Sequence, residues 1–150
     1  MLETLFLMLH ILTGASALML GVAAMGVKKK QGLHTKIGRL YHHLFVLITV
    51  TALLLAMLNW SRLWWFAPIA IFSYAFALLG FLAAKFKWKN WLRFHLVGQG
   101  GSFIAMCTAV MVVNFGSASL LAWIVPTIIG APILIWFGKE MKAGRRPRYH

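Results

Sequence analysis

Long apolar runs dominate the chain, and five of them can cross about 30 Å of hydrocarbon at about 1.5 Å of helical rise per residue. They fall near 4–27, 41–59, 64–84, 96–115 and 120–138, separated by short polar or basic segments. Helical periodicity adds little to these boundaries, because helices surrounded by lipid are apolar nearly all round. The pattern predicts an all-α integral membrane helical bundle of five transmembrane helices, forming a single domain over residues 1–150. Pro68, Pro126 and Pro132 predict bends, and the fifth run, which holds two of them, is expected to be the most irregular.

Composition strengthens this reading. Of 150 residues, 61% are hydrophobic and 11% charged, against roughly 45–50% and about 25% in soluble domains. The mean hydropathy is +0.81. Fifteen Lys and Arg against two Asp and Glu give a formal net charge of +13. That charge alone would suit a nucleic-acid binder, but the hydropathy excludes a soluble one, and no nucleic-acid partner is expected. The lone Cys107 excludes an intrachain disulfide framework.

Resolved by position, the basic residues gather on alternate sides of the runs. Lys28, Lys29, Lys30, Lys36 and Arg39 follow the first run, and Lys85, Lys87, Lys89 and Arg93 follow the third. Lys139, Lys142, Arg145, Arg146 and Arg148 follow the fifth, leaving Arg62 alone on the opposite side. The positive-inside rule then predicts an outer N-terminus and a cytoplasmic C-terminus in the bacterial inner (plasma) membrane. Anionic lipid is the expected partner of the basic loops. Trp60, Trp64, Trp65 and Trp123 at one interface and Trp88, Trp91, Trp136 and Tyr41 at the other fit aromatic belts at the same depths. Glu3 in place of a positive leader, together with the length of the first run, predicts that this run stays in the mature protein.

No Asp, Glu, Lys or Arg lies inside a predicted span, which argues against the carboxylate relays of proton pumps. Phosphate-binding loops, dinucleotide fingerprints and paired His-Glu zinc motifs are also missing. Histidine is the remaining ionisable group. His42, His43 and His95 fall at nearly equal depth at the start of the second and fourth spans, as two axial ligands of one haem require. From His42 a stripe through Phe45, Thr49, Ala52 and Ala56 is small or polar, whereas His43, Leu47, Val50 and Leu54 form an apolar one. His42 is therefore expected to face inward and His43 outward. His95 shares a face with Gln99, Ser102 and Met106, beside Gly98, Gly100 and Gly101, which would let a backbone or a flat macrocycle approach. Arg39, Lys36 and Arg93 lie where haem propionates would need partners. The competing reading is that interfacial histidines tolerate both water and headgroups and that the glycines serve helix packing.

His10 lies about 9 Å inside the first span by the helical rise, on a face continued by Thr13, Gly14, Ala17, Gly21 and Ala24. It is expected to be either a hydrogen-bonded interhelical histidine or, with Gln99, part of a second site. Met111 and Asn114 are the candidate partners at its depth.

The run Gly32-Leu33-His34-Thr35-Lys36-Ile37-Gly38-Arg39-Leu40-Tyr41-His42, after a first span bearing His10-x-x-x-Gly14, resembles the signature of a group of uncharacterised bacterial multi-pass membrane proteins. In these, an H-x-x-x-G span precedes a loop of the form L-H-[RK]-x-x-G-R-x-Y. In this chain Thr35 follows His34 and the basic residue comes one place later. The resemblance covers the first third of the chain and extends beyond it only by hydropathy. It implies a membrane bundle of unknown activity with a loose architectural similarity to haem-b cytochromes. Read from the residues themselves, His34 is either a loop or cap residue or a contributor from a lid-like loop that folds back onto His42 and His95.

The leading expectation is a membrane redox protein that binds haem b through His42 and His95, with Arg39 and Arg93 as propionate partners. The alternatives are a small transporter or permease using His10, Thr13, Gln99 and Asn114, or a non-catalytic assembly subunit with a membrane-protein partner or a second copy of itself. Metal binding other than haem iron is not expected, since Cys107 lies too deep to join the inner histidines.

Overall fold

The computed structural model describes residues 1–29 and 32–143. Lys30, Arg145, Arg146, Arg148 and His150 lie outside the described residues, as does the side chain of Lys142. Six helices follow one another: α1 (Leu2–Gly26), α2 (Leu33–Leu58), α3 (Trp60–Leu63), α4 (Phe66–Phe86), α5 (Trp91–Phe115) and α6 (Leu120–Lys142). No strand occurs among the described residues. All but the four-residue α3 are long and apolar enough to cross a membrane, so the chain is a multi-pass, all-α membrane protein.

The helices outrun the apolar runs where polar residues continue them. α2 begins at Leu33, eight positions before the apolar run at Tyr41, and α5 begins at Trp91 instead of near Leu96. Nothing between Leu33 and Leu40 breaks a helix, and Lys, Arg, Leu and Ile are good helix formers, so the backbone stays helical after hydropathy has fallen. Gly32 starts α2 with φ +115, a value that L side chains rarely adopt, and its carbonyl accepts the Lys36 N–H at 3.0 Å. At the other end of the preceding connection, Lys29 caps α1 by donating from Nζ to the carbonyls of Ala24 and Met25. α6 is helical from Leu120 to Lys142 with Pro126 and Pro132 inside it.

The chain divides into two compact units, Met1–Ala75 and Phe76–His150, with the boundary inside α4. In the first, α1 and α2 run antiparallel. Their free ends are clasped by Asn59 Nδ2, which donates to Glu3 Oε1 at 3.0 Å. Ala17 and Gly21 of α1 are buried, as are Tyr41, His42, Phe45, Thr49, Thr51, Leu55 and Ala56 of α2. The buried aromatic Tyr41, 5.7 Å from the Phe45 ring, corrects the expectation that it anchors at the interface.

In the second unit the C-terminal half of α4 packs antiparallel on α5, and α5 antiparallel on α6. A Cβ at Gly98 would lie 2.4 Å from the Gly80 nitrogen and 2.6 Å from the Phe76 carbonyl oxygen, so α4 and α5 meet backbone to backbone. The place beside Gly100 is taken by Leu134, and that beside Gly130 by Ile104. With little hydrophobic driving force between helices in lipid, such close approach is what associates them.

Candidate functional site: the histidines of the two units

Each unit positions its own histidines. His95 stands in the second turn of α5 and is half-buried. Its Nδ1 lies 3.0 Å from the carbonyl oxygen of Gly80 on α4. A carbonyl can only accept, so Nδ1 carries a proton and donates it. One turn on, Gln99 Nε2 donates to the Ala77 carbonyl at 2.9 Å. His95 and Gln99 thus form a polar seam from α5 to consecutive turns of α4, across the crossing that Gly80 and Gly98 make possible. Ser102, fully buried below them, donates to the Gln99 carbonyl. The glycines beside His95 therefore serve protein packing, with Phe76 against Gly101 and Leu134 against Gly100. Of the two occupants the sequence allows, a neighbouring helix takes the space.

In the first unit the face assignment on α2 is visible in burial. His42, Phe45, Thr49 and Ala56 are buried, whereas His43, Leu47 and Val50 are exposed. The His42 ring stacks near that of Tyr74 on α4, with centroids 6.1 Å apart and planes at 29°. His43 turns back along its own helix, its Nδ1 donating to the Arg39 carbonyl at 2.7 Å. Arg39 and Arg93 are both exposed. His34 lies in the first turn of α2 and is half-buried. The segment expected to be a lid-like loop is helix, so His34 has a fixed place on the axis that carries His42.

His10 finds a partner that sequence reasoning missed. Its Nδ1 lies 3.0 Å from Thr51 Oγ1. The Thr51 hydroxyl is within 2.8 Å of the Leu47 carbonyl and 3.0 Å of that of Ile48, so its proton is engaged there and His10 is the donor. Asn114 Nδ2 instead donates to Val110 of its own helix, and the Thr13 hydroxyl to Leu9 and His10 of its own. The missed signal was register. Thr51 stands eight residues before Asn59 and His10 seven after Glu3, so one antiparallel alignment matches both polar pairs.

His10, His43 and His95 therefore share one arrangement, with Nδ1–H donated inside the protein. No three His, Cys, Asp or Glu side chains among the described residues gather to hold a metal ion. Cys107 is half-buried in α5. Comparison with protein-family models, curated proteins and solved structures finds no match.

Proposed function

We propose that the chain is a redox protein of the bacterial inner membrane that binds haem b, with His42 and His95 as axial ligands. The observation that carries the reading is the hydrogen bond from His95 Nδ1 to the Gly80 carbonyl. Metal-ligating histidines usually donate their second ring N–H to a carbonyl or carboxylate, which fixes the tautomer and aims the other nitrogen. His42 joins it from the equal depth of the two residues along their spans, and from its own burial against Tyr74. Arg39 and Arg93, three and two positions before the ligands and exposed near the helix ends, supply guanidinium groups for propionates. A bound haem b would supply a one-electron iron couple; the protein's part would be to offer the imidazoles of His42 and His95. The distribution of Lys and Arg favours an outer N-terminus and a cytoplasmic C-terminus.

The test is a visible spectrum of the detergent-purified protein, expressed with haem precursor supplied. A Soret band that shifts on reduction, with a sharp α band, is expected; a spectrum without a Soret band overturns the reading. His95→Asn separates ligand from glue, because the amide still offers an N–H to Gly80 but cannot replace the imidazole on iron. That variant should fold and lose the low-spin spectrum. An unchanged low-spin spectrum would remove His95 from the ligand set.

A further inference from the structure

At one end of the second unit, exposed positive charge gathers beyond the Arg93 that the haem reading uses. Lys85, Lys87 and Lys89 occupy the end of α4 and the turn after it, and Arg93 the first turn of α5. Leu96 of α5 reaches to 3.7 Å from where a Cβ on Gly138 of α6 would stand, which brings Lys139 to the same end. All five basic side chains are exposed. The single acid at this end is Glu140, half-buried on α6. Three tryptophans, Trp88, Trp91 and Trp136, stand among them, and rings of this kind favour headgroup depth.

The turn itself is built around the charges. Lys87 and Asn90 both take left-handed backbone conformations, with φ 51 and φ 62. Lys87 Nζ lies 3.6 Å from the centroid of the Trp91 ring, so this ammonium is held over an aromatic face. Lys85 makes a looser contact of the same kind with Phe86, at 5.3 Å. Lys89 and Arg93 flank Asn90, which starts α5 without a side-chain cap bond. One ammonium held over Trp91, the neighbouring cations and the surrounding aromatic rings make a surface of concentrated positive charge.

We infer that this end of the second unit is a seat for anionic phospholipid, with Lys89 and Lys139 as the principal phosphate partners and Lys87 held against Trp91 as a fixed charge. The inference does not depend on haem. Charge near a headgroup layer favours anionic lipid by about 1 kcal/mol per basic residue, or roughly fivefold in affinity.

The experiment is native mass spectrometry of the detergent-purified full chain, titrated with phosphatidylglycerol, cardiolipin or phosphatidylcholine. Anionic lipids should be retained and phosphatidylcholine lost at the same collision energy. Lys89→Gln with Lys139→Gln should weaken retention roughly 25-fold, while Lys89→Arg with Lys139→Arg keeps it and Arg62→Gln leaves it unchanged. Equal retention of phosphatidylcholine, an undiminished double Gln variant, or an equal loss with Arg62→Gln would overturn the seat. A thermal shift with inorganic phosphate separates the sources: protection matching that of the lipid would mean a phosphate site and not a lipid one.

Discussion

Thr51 lies on a span with few polar residues, and with its proton engaged by its own helix only its oxygen lone pairs face His10. The pair should contribute like other hydrogen bonds between membrane helices, about 0.6 kcal/mol and at most about 1.7. A double-mutant cycle of His10→Ala and Thr51→Val, followed by unfolding in mixed micelles, should return a coupling in that range; zero coupling would mean the bond is not formed in the membrane. This contact was only partly legible beforehand. A histidine some 9 Å inside an apolar run announces a polar neighbour, but naming it needs the register between helices. Glu3 and Asn59 carry that register, yet each looks like an ordinary interfacial residue until the two are paired. His42 and His43 were easier, because adjacent positions on one helix point about 100° apart and the stripes they head differ in side-chain size.

Among the helices, glycines of one composition have opposite consequences. Gly98 faces backbone atoms that cannot move aside, so Gly98→Ala should destabilise by about 1–3 kcal/mol as overpacking does. Gly38, mid-helix in α2 with no neighbour within 4 Å of its Cβ position, should behave oppositely. Gly38→Ala is expected to stabilise by about 0.5–1 kcal/mol through helix propensity. Melting temperatures in one detergent check both signs, and a neutral Gly38→Ala would argue that the segment before Tyr41 is not helical. Hydropathy located the lipid-facing stretches well because burial in hydrocarbon tolerates so few charges. It missed the true start of α2 because a helix needs only compatible backbone preferences, which Lys36 and Arg39 satisfy as well as Leu does.

For the whole molecule, the proposed orientation makes a prediction free of any cofactor. In a Cys107→Ser background, Arg62→Cys should react with a membrane-impermeant maleimide on intact spheroplasts, and Lys89→Cys only after lysis. The reverse pattern would invert the topology. The number and order of the spans were legible from the pattern of apolar runs, since apolar helices of 21 to 26 residues leave few alternatives. How the polar groups inside them pair was not, because each pairing joins residues far apart in sequence.

The clasp between the two ends of the first helical pair also sets a timetable. His10 leaves the ribosome 41 residues ahead of Thr51, about 2–8 s at ordinary synthesis rates. During that interval its imidazole has no partner from α2, and hydrocarbon is a costly place to wait. α1 is therefore better retained in the translocon and released together with α2 as a finished hairpin, with Glu3 and Asn59 closing behind it. A chain halted before residue 51 should leave α1 poorly committed to the bilayer, so that integration of the first helix depends on synthesis of the second.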